Sequence, residues 1–238
     1  MSETSIAARS LSLSLRREMG SGGQQRLPAP GKRELLARGV ALAQLPDGAR
    51  VVDLGCGGGT SVEYLRHALG LRTVGLDLSA PGDAQGGPFL QADARALPLA
   101  DGAVDGVLLE CVLSVVRERE RVLGECVRVL KPGGKLILTD LYAREPRPAA
   151  VGRAMPGPCG AEFLPAEKLL ALVDSSGLVT LAWEDHTRVL KEYVARLILQ
   201  EALTVEALAP RPDGERASAG DPSLRPGYGL LVAENPGL

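Results

Sequence analysis

Between residues 50 and 141, short apolar segments alternate with stretches of helical spacing. Strands are expected at 50–54, 72–77, 89–91, 104–109 and 135–141. Helices are expected at 60–69, where Val62, Leu65 and Leu69 share a face, and at 115–130, where Leu123, Val127 and Leu130 do. Lys131-Pro132-Gly133-Gly134 reads as a sharp turn ending the second of these helices. Parallel strands need a crossover of a dozen or more residues, usually a helix. The alternation therefore implies a mostly parallel, doubly wound α/β sheet with helices on both faces.

The flanks extend the pattern. A helix is expected at 32–45 and another at 165–175. A strand follows at 178–183, a long amphipathic helix at about 186–208, and a last strand at 228–233. Residues 144–160 and 209–227 read as loops. Residues 1–31 show no clean period and read as an N-terminal arm or lid. Residues 32–238 then form one domain, with 186–208 as a helical insertion. Only 3% of residues are aromatic, so Leu, Val and Ala must fill most of the core.

Ligands of open α/β sheets bind at the carboxyl ends of the strands, where the strand order reverses. The loop after the first strand reads Asp53-Leu54-Gly55-Cys56-Gly57-Gly58-Gly59-Thr60. Its glycines make positive φ cheap and let a ligand approach the backbone. The following helix would offer its N-terminal N–H groups. Two details point away from a dinucleotide. Thr60 stands where G-x-G-x-x-G has its third glycine, and Asp53 would repel a pyrophosphate while suiting a cationic ligand. No Gly-Lys-Ser/Thr follows, which excludes a P-loop.

This segment resembles the first motif of class I S-adenosylmethionine (SAM)-dependent methyltransferases, and the likeness runs over roughly residues 32–141. Asp77, ending Val74-Gly75-Leu76-Asp77, stands where that family places an acid on the ribose hydroxyls. Gln91-Ala92-Asp93-Ala94 is similar to its third motif, with Asp93 near the adenine. Leu97-Pro98-Leu99 and Arg128-Val129-Leu130-Lys131-Pro132-Gly133-Gly134 match common family segments. The resemblance implies a Rossmann-like sheet of seven strands whose last strand is antiparallel, and SAM as cofactor. It implies cofactor contacts from Asp53, Leu54, Gly55, Cys56, Gly57, Thr60, Asp77, Leu78, Asp93, Ala94 and Glu110. It also implies methyl transfer to a small-molecule acceptor.

The end of the fourth strand should face the transferred methyl group, making Glu110 and Cys111 candidate catalytic residues. His186 is a third candidate, because imidazole titrates near neutrality. A dedicated base is optional, since a sulfonium already activates the methyl group. The segment around Cys111, then Thr139-Asp140-Leu141-Tyr142-Ala143, then Cys159-Gly160, is similar to arsenite methyltransferases, in which thiolates hold trivalent arsenic. This chain departs from them in having no cysteine before residue 56 and Ala161-Glu162-Phe163 after Cys159. Menaquinone- and ubiquinone-type C-methyltransferases are similar over the core. A SAM-binding protein without catalysis and a nicotinamide-dependent dehydrogenase are the alternatives from other classes.

Charge and cysteine content bound the partners. Lys and Arg total 27 against 29 Asp and Glu, a net charge of −2, so nothing in the whole-chain charge favours nucleic acid. Arg117-Glu118-Arg119-Glu120-Arg121 alternates in sign, as a solvated helix face does. Cys56, Cys111, Cys126 and Cys159 form no C-x-x-C pair, and no metal site is expected. No apolar run is long enough for membrane insertion, and residues 1–20 lack the apolar stretch of a secretory signal, so the expected location is cytoplasmic. Leu190, Tyr193, Val194, Leu197 and Ile198 on the long helix could serve the core or a homodimer face.

Overall fold

The structure, a computed structural model, describes residues 29–79, 88–144, 163–199 and 226–237. Five helices and seven strands follow one another along the described chain. They are α1 (Lys32–Ala43), β1 (Arg50–Leu54), α2 (Thr60–His67), β2 (Arg72–Asp77), β3 (Phe89–Gln91) and β4 (Val104–Glu110). Then come α3 (Arg119–Val129), β5 (Leu130–Ala143), α4 (Ala166–Ser175), β6 (Val179–Asp185), α5 (Thr187–Leu199) and β7 (Pro226–Glu234). The expected arm (apart from residues 29–31), Cys159 and residues 200–208 of the expected long helix lie outside the described residues.

The strands form one sheet in the order β3-β2-β1-β4-β5-β7-β6. The pairs β1–β2, β1–β4, β2–β3 and β4–β5 are parallel, and β7 runs antiparallel to both β5 and β6. This is the expected doubly wound, seven-stranded Rossmann-like sheet with its last strand reversed. The order reverses between β1 and β4, which places a crevice beyond their carboxyl ends.

Strand residues in register share a face, so the pairings sort the core into two layers. Val52, Leu54, Leu76, Val107, Leu109, Leu136, Leu138 and Leu231 pack under α3 and α4 with Val122, Leu123, Cys126, Val129, Leu169 and Val173. Val51, Leu108, Ile137, Leu230 and Val232 pack under α1 and α2 with Leu36 and Leu65. Further along this second face, Leu141 and Tyr228 meet Leu35 of α1 and Leu190 and Val194 of α5. Burying each of these leucines contributes about 1.5–3 kcal/mol. Cys126, expected in the core, is fully buried on α3.

Two boundaries differ from the sequence expectation by more than two residues. Helix α3 begins at Arg119, not at 115. Asp140, buried at the end of β5, accepts the Ser114 N–H at 3.0 Å, and Arg119 Nε donates to the Leu113 carbonyl at 2.6 Å. These two bonds, the first of them long-range, hold residues 112–116 before the helix can start. Lys131–Gly134 does not end the helix as a free turn. It forms an irregularity inside β5, where the β4 pairing jumps from Val104–Leu130 to Gly106–Lys135. Asn235 pins it, because its Nδ2 donates to the Leu130 carbonyl at 3.0 Å and its carbonyl accepts the Gly133 N–H at 2.7 Å.

Candidate active site

The glycine loop leaves β1 and turns directly into α2. Gly55, Gly57 and Gly59 have φ of 74°, 53° and 79°, left-handed values that L side chains rarely adopt. At Gly59 a Cβ would also land on the Phe89 ring. Gly58 has nothing within 4 Å of its Cβ position, so the loop is open to a ligand there. The Gly55 N–H donates to the Leu76 carbonyl at 2.7 Å, and the Gly57 N–H donates to Asp77 Oδ2 at 2.9 Å. Asp77 Oδ1 accepts the Ser79 N–H at 2.9 Å. Asp77 therefore holds both the loop and the turn after its own strand.

Asp53 lies below this loop and is 1% exposed. Its register partners are Gly75 on β2 and Leu108 on β4, so Asp77 and Glu110 stand two residues further along the flanking strands, on the same face. The three carboxylates thus form a triangle on one face, near the carboxyl ends of β1, β2 and β4. Asp53 Oδ2 has no hydrogen-bond partner among the described residues. Burial, then the negative charges of Glu110 and Asp77, hold the Asp53 carboxyl well above the usual carboxylate range. Burial pushes Glu110 up to about 7, although the Ser61 hydroxyl bonded to Oε2 pulls the other way.

A buried orphan carboxylate oxygen beneath an open glycine loop fits a cationic ligand group. Within the proposed cofactor set, Asp53 and Glu110 would serve the ammonium side of SAM, and Asp77 its ribose hydroxyls. Leu54 is fully buried in the core, so only its backbone can serve a ligand. The Cys56 sulfur fills the space where a Gly75 Cβ would lie, 2.7 Å away. Thr60 is exposed at the start of α2, and Leu78 is 67% exposed beyond β2. Ala94 packs half-buried on the core.

Asp93 is engaged by a neighbouring side chain. Arg95 takes both its oxygens, with Nη2 at 2.6 Å from Oδ2 and Nε at 2.9 Å from Oδ1. The guanidinium bonds pull the Asp93 carboxyl down to about 2. Arg95 also reaches Glu118 at 2.5 Å, joining the 92–103 segment to the turn before α3. Leu97-Pro98-Leu99 is fixed by the same helix, with the Leu97 N–H on Glu125 at 2.6 Å and the Leu99 carbonyl on Arg128 at 2.7 Å.

Cys111, directly after Glu110, has φ 55° and is half-buried. Left-handed backbone at a non-glycine residue costs about 1–3 kcal/mol and persists where its surroundings enforce it. Here the Cys111 N–H donates to the Thr139 carbonyl at 2.8 Å, and its sulfur lies 3.6 Å from the Tyr228 hydroxyl. Tyr228 is fully buried, which holds its hydroxyl protonated well above the usual phenol range. Cys126, by contrast, is pushed up to about 12 by burial and is chemically quiet.

His186 is not brought to this crevice. It follows β6, three strands from β4, or about 14 Å across the sheet. Its Nε2 lies 2.9 Å from Glu184 Oε2, and Glu184 is held by Arg38 of α1 at 2.6 Å. His67 is exposed on α2. Two residues of the site were not expected from sequence. Ser61 is a small hydroxyl in the first helical turn after the glycines, a legible position. Tyr228 meets Cys111 across 117 residues, with no local signal.

A doubly wound sheet with an acid-lined glycine loop at its switch point defines a protein that binds an adenosine-type, cationic cofactor. Residues 52–138 match the family described as "Methyltransferase domain". The chain is 29% identical over 195 residues to the arsenite methyltransferase of Halobacterium salinarum, a match covering 73% of this chain and 50% of that one. It is 33% identical over 163 residues to the demethylmenaquinone methyltransferase of Renibacterium salmoninarum, covering 58% and 68%. The chain thus spans half the length of the first relative and about two thirds of the second. Haemonchus contortus phosphoethanolamine N-methyltransferase 2 in complex with SAM shares the fold, with TM-score 0.67, 17% identity, and 96% and 57% of the two chains covered. The chain belongs to the class I SAM-dependent methyltransferase family.

Proposed function

We propose that this chain transfers the SAM methyl group to a small-molecule acceptor. The observation that carries the reading is the buried, unpartnered Oδ2 of Asp53 on the strand that leads into the open glycine loop, with Asp77 and Glu110 flanking it. When bound, SAM supplies a methyl group already activated on a sulfonium. Asp53 and Glu110 would neutralise the ammonium, and Asp77 would accept from the ribose hydroxyls while keeping Gly57 in place. The turn from Cys111 to Val116, clamped by Asp140, would hold the acceptor's side of the crevice rigid. Positioning of this kind can supply about 7–11 kcal/mol of a displacement barrier.

Two measurements test the reading together. Titration calorimetry should show one SAM and one S-adenosylhomocysteine site per chain. Methyl-labelled SAM should then transfer its label to an acceptor from a panel of quinols, phenols, amines and thiols. No binding of either ligand would remove the reading. Binding with no transfer to any acceptor would favour a regulatory SAM-binding protein.

One observation favours a second reading, arsenite methylation. Cys111 is held with its sulfur half-buried beside Tyr228 at the end of β4, and the Halobacterium relative is named for that reaction. Trivalent arsenic should then stimulate SAM turnover in reducing buffer, and Cys111→Ser should abolish the stimulation. Unchanged turnover would remove this reading and leave the first intact.

A further inference from the structure

We propose that the Asp53–Glu110 carboxylate pair holds one proton in the cofactor-free protein and releases it to solvent when cationic SAM binds, so that cofactor binding is proton-linked. This rests on the proposed SAM site and adds a property of it.

The geometry sets the demand for a proton. Asp53 stands on the inner face of the sheet with Asp77 and Glu110 two residues ahead on either side. It is 1% exposed, and one of its oxygens meets no donor among the described residues. Three like charges this close, with the central one out of water, cannot all be ionised cheaply. Asp77 accepts the Gly57 and Ser79 N–H groups. Glu110 accepts from the Ser61 hydroxyl. Asp53 has no comparable support for Oδ2, so the shared proton resides on this pair.

Among the described residues, the cations on the packed elements are engaged elsewhere. On α2, Arg66 donates to the Thr73 carbonyl at 3.2 Å, and Glu63 and His67 are exposed. On α1, Arg33 lies over the Tyr64 ring, Glu34 is exposed, and Arg38 is held by Glu184. On β1, Arg50 is at the far end of the strand beside Asp105. In the glycine loop the Cys56 sulfur lies against Gly75. Among the described residues, Tyr228 on β7 and Cys111 after β4 also stand near Glu110, and burial raises the Tyr228 phenol.

The sign follows directly. A positive ligand group favours the ionised carboxylate, so the complex binds one proton fewer than its parts. SAM affinity should rise by about tenfold per pH unit below neutrality and flatten above it. The range from pH 5.5 to 7 is the useful one, because a ligand α-amino group titrates near about 8.

Two measurements on the full chain decide the matter. SAM titrations at pH 6.5 in buffers of different ionisation enthalpy should give about one proton released per SAM, and a double variant, Asp53→Asn with Glu110→Gln, should release none. Carbon-13 NMR of the cofactor-free protein should show a carboxyl resonance, lost in Asp53→Asn or Glu110→Gln, titrating above pH 6. Measurable SAM binding without proton release overturns the proposal and leaves the function reading standing. Both carboxyls titrating below pH 5 overturns it whatever SAM does. No SAM binding at any pH overturns the function reading and this proposal together.

Discussion

Asp77 accepts the Gly57 N–H at 2.9 Å, so the acid at the end of β2 and the glycine loop after β1 are one unit, twenty residues apart in sequence. Removing this carboxylate should loosen the loop as well as remove a ligand contact. Asp77→Ala is expected to weaken SAM binding by at least tenfold, since a charged hydrogen bond contributes about 1.5–3 kcal/mol. Asp77→Asn, which keeps one acceptor, should lose less. Calorimetry on the two variants checks the order, and equal affinity in Asp77→Ala and the parent would remove Asp77 from the site.

The glycines of the loop should separate stability from binding. Gly59 has φ 79° and faces the Phe89 ring, so Gly59→Ala is expected to destabilise the fold by about 2–3 kcal/mol. Gly58 has open space at its Cβ position, so Gly58→Ala should change unfolding by less than about 1 kcal/mol. It should nevertheless weaken SAM binding if the cofactor lies against that backbone. Urea unfolding and calorimetry on both variants give the two readouts.

Asp93 is occupied by Arg95, which competes with any ligand donor for the same oxygens. Arg95→Ala should therefore tighten SAM binding by a few-fold if the adenine amino group uses Asp93. An affinity unchanged by Arg95→Ala would assign Asp93 to the Arg95–Glu118 ion-pair chain alone.

Glu184 ties α1 to the end of β6 through Arg38 and His186, and those partners pull its carboxyl down to about 2. A depressed acid contributes stability above its unfolded value of about 4.3 and loses it as the pH falls toward 2. The pair is partly exposed and screened by solvent, so the contribution is small. The difference in urea midpoint between the parent and Glu184→Gln should be present at pH 7 and shrink between pH 4.5 and 2. A difference that grows on acidification would contradict the pairing.

Much of this was legible in the sequence because it is local. Strand and helix types follow from the period of Val, Leu and Ile, and the glycine loop announces itself within eight residues. What was not legible depends on pairs far apart in the chain. The late start of α3 comes from Asp140, more than twenty residues downstream of Ser114. The contact of Ser61 with Glu110 spans 49 residues, and the triangle around Asp53 exists only once β2 and β4 are in register. Asp93–Arg95 was the reverse case. It is a two-residue spacing in plain view, an ion pair that needs no distant register to form.

Strand β7 enters the sheet between β5 and β6, although it is the last strand along the described residues. During synthesis, β5 must therefore wait for roughly ninety more residues before its second edge is paired, about 5–20 s at ordinary ribosomal rates. Through that interval a long apolar edge, Leu136 to Leu141, is open to any neighbouring chain. Truncation anywhere before Pro226 leaves that edge open permanently. Shortened forms of this chain should collect in aggregates, and the final nine-residue strand acts as the latch that makes the nascent sheet safe.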